Sequence, residues 1–298
     1  MSKSALVIIN PKAGQEEASE HKNQLKEILS KVYSKVEIRE TRGEGDAKKW
    51  AKEAGEKGFD LVVSIGGDGT VNETINGLAL LDDAPLLGIV PLGTVNDLAR
   101  ALNIPLKAEE AMNLLIEGRT QRIDIGQAND QFFSNFLIIG EASKAIHKVP
   151  GDEKTKLGPL AYFIETGKKL GAEDRFDVQI ELTNNSWHGK VSVIVVALID
   201  SLGGLESVLK DAAIGDGQFL VLAIEKFTYS QIINMAPKTL AGKIEDTDNV
   251  HIFKSDQLSI KNSTDKKIPS DLDGEEGPNL PIDFKLFPRK LKVISALK

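Results

Sequence analysis

Residues 64–77 read SIGGDGTVNETING. The apolar run DLVVSI at 60–65 leads in and a run with helical spacing leads out, so the stretch is the turn of a strand–loop–helix unit. Gly66, Gly67 and Gly69 let the backbone reach positive φ and approach a ligand closely. Successive N–H groups in such a loop make a concave anion nest, and the following helix adds its positive end. The stretch therefore has the parts of a phosphate cradle as well as those of a plain tight turn. Asp68 is out of place in a pure anion site, because a bare carboxylate repels phosphate. It makes sense if Mg2+ bridges it to the phosphates, or if it orients an attacking hydroxyl. Thr70 and Glu73 also stand at capping-box spacing, so starting the helix is an equal alternative role for Thr70.

Working outward, the same unit recurs. ALVIIN (5–10), KVEIRE (35–40) and LLGIV (86–90) are further strand patterns. Between them run helices with apolar faces Ala18, Leu25, Ile28, Leu29 and Val32, then Ala47, Trp50, Ala51 and Ala54. Strand–helix alternation predicts a parallel sheet covered on both faces, with ligands at the carboxyl ends of its strands. NPKAG (10–14), GGDGT (66–70) and PLGT (91–94) all follow strands and should share one sheet edge. After about residue 126 the texture changes to long β-like runs: FFSNFLIIG, FDVQIEL, KVSVIVVALI, FLVLAI, NVHIF and QLSI. TNNSWHG at 183–189 reads as a turn, and helical insertions are expected near 158–170 and 228–236. The expectation is an α/β N-terminal domain with a parallel sheet and a mostly antiparallel β-sandwich C-terminal domain. Their boundaries are 1–126, joined by the tail 288–298, and 127–287.

Composition narrows the function. A formal charge of −7 argues against nucleic acid as the main partner. The absence of cysteine excludes disulfides, thiolate metal sites and cysteine nucleophiles, and fits a reducing cytoplasm. No apolar run approaches the roughly 18 residues a membrane helix needs. The P-loop ending in Gly-Lys-Ser/Thr is missing, and no G-x-G-x-x-G opens the first helix. His21, His147, His188 and His251 show no metal-ligand spacing, and Trp50 reads as core.

NPKAG after the first strand, GGDGTVNE after the third and PLGTVNDLARAL after the fourth resemble the diacylglycerol kinase catalytic-domain family. KLGPLAYFI (156–164), LKDAAIGDGQF (209–219) and DLDGEEG (271–277) follow in the family's order, so the resemblance covers nearly the whole chain. GGDGT alone is shared with NAD kinases and phosphofructokinases. The resemblance implies transfer of the ATP γ-phosphoryl group to a lipid hydroxyl, most simply diacylglycerol to phosphatidic acid, by a cytoplasmic enzyme in transient contact with the inner membrane face. A homodimer is among the assemblies it allows. Asn10, Pro11, Lys12, Ala13 and Gly14, with Gly67, Asp68, Gly69, Thr70, Val71, Asn72 and Glu73, would line the nucleotide, and Thr41 and Thr94 would add contacts. Asp68, Asp97 and Asp124 would form an acidic network around Mg2+. Glu275 would take the lipid hydroxyl proton, although Asp273 and Glu276 lie beside it. A separate structural Mg2+ would fall on Asp216, with carbonyls near Ala213 and Gln218; Asp216-Gly217 is equally a hairpin signal. Glu141 stands where many members carry an apolar or aromatic residue, which leaves acceptor recognition open. The lysines and apolar residues of 154–170 read either as a membrane-facing surface or as a core helix with a solvated face. An NAD kinase and a catalytically silent binder are the rival readings.

Overall fold

The computed structural model describes residues 3–14, 21–143, 175–202, 209, 211–225, 249–264 and 266–296. The chain divides into two compact units, Met1–Ile125 with Arg289–Lys298, and Gly126–Pro288.

In the first unit, β1 (Ser4–Ile9), β2 (Lys35–Glu40), β3 (Leu61–Gly66) and β4 (Leu86–Pro91) form a parallel sheet in the order β2-β1-β3-β4. β3 is buried at every residue and β1 at all but its first, as continuous apolar strands covered on both faces must be. β2 is only partly buried and forms an edge. The strand β16 (Ile282–Ser295) ends in this unit, where Val293 pairs in parallel with Leu87 of β4. Helices α1 (Lys22–Ser30) and α5 (Ala108–Glu117) pack together, as do α2 (Asp46–Glu56) and α3 (Asp68–Ala79). Leu25, Ile28 and Leu29 are the buried face of α1, whereas Val32 lies past the helix end and is 44% exposed. Trp50 is not core: it is half-buried on α2, beneath the Arg39 guanidinium 5.7 Å from its ring. Ala18 lies outside the described residues.

The second unit contains two antiparallel arrays. One joins β8 (Phe176–Leu182), β9 (Ser186–Val191), β13 (Gln257–Asn262) and the start of β16 in the order β16-β13-β8-β9. The other runs β12 (Val250–Ser255), β11 (Phe219–Ile224), β10 (Val193–Ala197), β7 (Phe136–Ile139), β14 (Ser270–Leu272) and β15 (Glu275–Gly277). Their facing side chains make one core, in which Phe133, Phe219 and Phe284 meet with ring centroids 5.8–6.3 Å apart. The inner strands of the second array, β11, β10, β7 and β14, are buried on both faces. Along β11, Phe219, Val221 and Ala223 join that core, while Leu220, Leu222 and Ile224 join a second cluster, which is why FLVLAI is apolar throughout.

Two runs read as single strands are divided. FFSNFLIIG splits into β6 (Gln131–Phe133) and β7, because the N–H groups of Ser134 and Asn135 bond to Asp273 instead of a neighbouring strand. KVSVIVVALI splits at Ser192: Val191 pairs with Phe176 in one array and Val193 with Ile224 in the other. Within TNNSWHG the turn is confined to the residues before Ser186, where β9 begins. The insertions expected near 158–170 and 228–236 lie outside the described residues.

Candidate active site

The parallel ladder of the first unit continues into its loops. Asn10 N–H donates to the Ile65 carbonyl (2.9 Å), Thr41 N–H to that of Ile9 (2.8 Å) and Leu92 N–H to that of Gly66 (2.8 Å). The loops after β1, β2, β3 and β4 are thereby set side by side at one sheet edge, with Asn10, Thr41, Gly67 and Gly93 at their roots. Asn10 ties its own turn by accepting the N–H of Lys12 on Oδ1 (3.1 Å) and that of Ala13 on its carbonyl (3.1 Å). Pro11 sits within this turn, and Gly14 closes it at φ +62 against Leu92. The Asn10 amide also donates to Thr70 Oγ1 (3.2 Å), linking the first loop to the third.

Asp68 joins the third loop to the fourth. Its Oδ2 accepts the Asn96 N–H (2.8 Å) and its Oδ1 the Asp97 N–H (2.9 Å), at the start of α4 (Asp97–Ala101). Asn96 adopts φ +56 and folds its side chain onto Gly93, accepting that residue's N–H (3.0 Å) and donating to its carbonyl (2.7 Å). The two glycine loops touch backbone to backbone, since a Cβ on Gly93 would lie 2.7 Å from Gly67 Cα. Gly69 and Thr94 are exposed on this edge. The Asp68 carboxylate is thus a clamp between the two glycine loops.

Not every predicted contact faces the edge. Helix α3 begins at Asp68, so Thr70 is not its N-cap and the capping box is not formed. The Glu73 carboxylate instead accepts the Ala47 N–H (3.1 Å) at the start of α2. Val71 and Asn72 are buried, and Asn72 bonds to Asn76 one turn on. Asp97 and Asp124 are each 3% exposed, and Asp124 Oδ1 accepts the Arg289 N–H (2.6 Å). Among the described residues no three His, Asp or Glu side chains gather closely enough to hold a metal ion.

In the second unit, DLDGEEG forms a tight hairpin. Leu272 pairs with Glu275 across Asp273 and Gly274, which adopt φ +51 and +93, the conformation that selects Asp-Gly in two-residue turns. The buried Asp273 carboxylate accepts N–H groups from Ser134 (2.8 Å), Asn135 (3.0 Å) and Phe136 (2.9 Å), pinning the turn to the entry of β7. Glu275 and Glu276 are exposed, and as strand neighbours they project to opposite faces. The sequence places Asp273 beside Glu275 as a rival base; its position before Gly274 is the signal that it belongs to the turn instead. Asp216 sits in a turn between Gly215 and Gly217, both at positive φ. Its Oδ1 accepts the Gln218 N–H (3.0 Å) and its N–H donates to the Ala213 carbonyl (3.2 Å).

Comparison with known proteins follows this division. Residues 4–128 match the diacylglycerol kinase catalytic domain, and residues 142–295 match the YegS C-terminal NAD kinase beta sandwich-like domain. A diacylglycerol kinase of Bacillus subtilis strain 168 is 36% identical over 98% of this chain and 96% of its own length. One from Staphylococcus saprophyticus is 33% identical over 99% and 96%. The crystal structure of a diacylglycerol kinase from Bacillus anthracis str. Sterne superposes with a TM-score of 0.80 at 28% identity, covering 99% of this chain and 97% of that one. Matched along nearly its whole length by such relatives, the chain belongs to the diacylglycerol kinase catalytic-domain family.

Proposed function

We propose that the protein is an ATP-dependent lipid kinase that transfers the γ-phosphoryl group to a lipid hydroxyl, with diacylglycerol as acceptor and phosphatidic acid as product. The observation that carries this reading is the set of four loops at one sheet edge, two of them clamped by the Asp68 carboxylate. Such an edge offers backbone N–H groups and the start of α3 to a polyphosphate. Phosphoryl transfer needs mainly positioning and charge neutralisation, and this scaffold supplies positioning.

Asn10 to Gly14, Gly67 to Thr70, Thr41 and Thr94 hold the nucleotide in this reading; the buried side chains of Val71 and Asn72 and the engaged Glu73 support the helix behind it. Glu275 accepts the proton as the lipid oxygen bonds to the γ-phosphorus and the bond to the β–γ bridging oxygen breaks, releasing ADP. Asp273 holds the turn that presents Glu275.

The residues fit Mg2+. Each Asp68 oxygen accepts one N–H and keeps a lone pair. Mg2+ needs only one or two protein carboxylates beside substrate phosphates and water, so Asp68 and Asp97 would hold it, with Asp124 behind them. When bound it neutralises charge on the transferring group. The Asp216 turn offers the carbonyl of Ala213 and a carboxylate to a second, structural Mg2+, with Gln218 completing it. The acceptor is a membrane lipid, so the protein works at the cytoplasmic face of a membrane. None of the described helices is long and apolar enough to cross one.

The test is incubation with ATP and Mg2+ against diacylglycerol in mixed micelles, a panel of other lipid alcohols, and aqueous NAD. Phosphatidic acid as the main product is expected. Phosphorylation of NAD, or no lipid product across the panel, would overturn the reading.

A further inference from the structure

Glu275 stands on a short strand at the end of its array. β15 has three residues and, among the described residues, pairs with β14 alone. A strand that short is held weakly by its ladder, whereas a catalytic group has to be held to within about 0.5 Å. Something besides the ladder must fix it.

β14 is buried at all three residues, and one of them is out of character. The register sets Leu222 of β11, Val195 of β10, Ile138 of β7 and Asp271 of β14 in one row across the array, ending at Glu276. The first three belong to the second apolar cluster, so an apolar fourth would extend it. Asp271 puts a carboxylate there instead, at 0% exposure. Burying that group is unfavourable unless hydrogen bonds compensate it.

Its partner lies in the turn. Asp271 Oδ1 accepts the Gly274 N–H (3.0 Å), and Gly274, at φ +93, directly precedes Glu275. The other turn residue, Asp273, donates its N–H to the Phe136 carbonyl (3.0 Å). Beyond β15, Ser270 Oγ donates to the Pro278 carbonyl (2.6 Å). Two adjacent β14 side chains thus tie the hairpin on either side of Glu275 and Glu276, and Asp271 ties the side next to Glu275.

We propose that Asp271 is a positioning residue for lipid phosphorylation: by holding Gly274 it fixes the backbone from which Glu275 reaches the acceptor hydroxyl. The assignment rests on Glu275 being the base of the proposed kinase. Asp271 moves no proton in the reaction, so position 271 needs an acceptor oxygen and not a negative charge.

The test compares wild type with Asp271→Leu, which extends the apolar row, and Asp271→Asn, which keeps an oxygen for the Gly274 N–H. Gly274 is exposed, so water takes over its N–H in Asp271→Leu and the variant folds; Asp271→Ala, which also removes the acceptor, must show the same losses. Amide exchange at Gly274, followed by NMR, should be about tenfold faster in Asp271→Leu and near wild type in Asp271→Asn. Transfer of labelled phosphate to diacylglycerol should fall about 10- to 100-fold in kcat in Asp271→Leu with ATP affinity unchanged, and Asp271→Asn should recover most of it. Equal exchange at Gly274 in all the proteins would overturn the tie. Unchanged kcat in Asp271→Leu, or Asp271→Asn as slow as Asp271→Leu, would overturn the positioning role. Wild type that phosphorylates no lipid would refute the kinase reading instead, and exchange at Gly274 would still decide the tie.

Discussion

Replacing Gly93 by alanine strikes where two loops meet without side chains between them. The new methyl would sit 2.7 Å from Gly67 Cα and 2.7 Å from Asn96 Oδ1, and its backbone neighbours cannot swing aside as a flexible side chain would. Relieving that overlap requires the loops to part by about 1 Å, which carries the two hydrogen bonds of Asp68 beyond the usual limit of about 3.2 Å. Overpacking costs about 1–3 kcal/mol, and each hydrogen bond to a charged group is worth about 1.5–3 kcal/mol. Because the loops relax partly, we expect a net loss of about 2–3 kcal/mol, or a fall of about 4–12 °C in Tm. Gly43→Ala is the control: its Cβ would meet nothing within 4 Å, so Tm should hold or rise slightly. Thermal unfolding of both variants, with nucleotide binding measured by calorimetry, checks the argument. If Gly93→Ala unfolds with the wild-type protein and binds nucleotide equally well, the loops are not held together as described.

Glu73→Gln should lower stability by about 0.5–1 kcal/mol through the start of α2, with little change in nucleotide affinity, as urea unfolding and calorimetry would show. Asp273→Asn sets an amide N–H against a backbone donor, so about 2–3 kcal/mol of stability and most of the turnover should go even with Glu275 intact; Tm and kcat measure the two. The hydrogen bond from Arg39, reinforced by Lys57, holds the Glu53 carboxyl below its ordinary value of 4.5. A depressed carboxylate pKa stabilises above the unfolded value and loses that contribution as pH falls through the folded one. Wild type should therefore exceed Glu53→Gln in stability at pH 7 and lose that advantage progressively as pH falls below the ordinary carboxyl value of 4.5, as unfolding midpoints on either side of it would show.

The sheet of the first unit is legible because its strands are continuous apolar runs and its helices carry one apolar face each. ALVIIN and DLVVSI need no tertiary knowledge to be called buried strands. Where reading failed, the deciding partner was distant in sequence. Thr70 and Glu73 have capping-box spacing, but Asn10 and Ala47 claim them instead. FFSNFLIIG looks like one strand because nothing in it announces that Asp273 will capture the N–H groups at its centre. Trp50 reads as core from helical spacing alone, and only the Arg39 side chain of β2 shows it to be a half-buried rim residue. The candidate site follows the same rule. The glycine loops could be found by eye, whereas the role of Asp68 as a clamp between loops depends on Asn96 and Asp97 arriving from the next strand.

The most direct test of the central claim is labelled γ-phosphate transfer from ATP to diacylglycerol by wild type and Glu275→Gln, with ATP affinity measured for both. Removing a general base while preserving side-chain volume should cut kcat by about 10²- to 10⁴-fold and leave ATP affinity within about twofold. Wild-type protein that makes no phosphatidic acid, or a Glu275→Gln variant that turns over within a few-fold of it, would contradict the account.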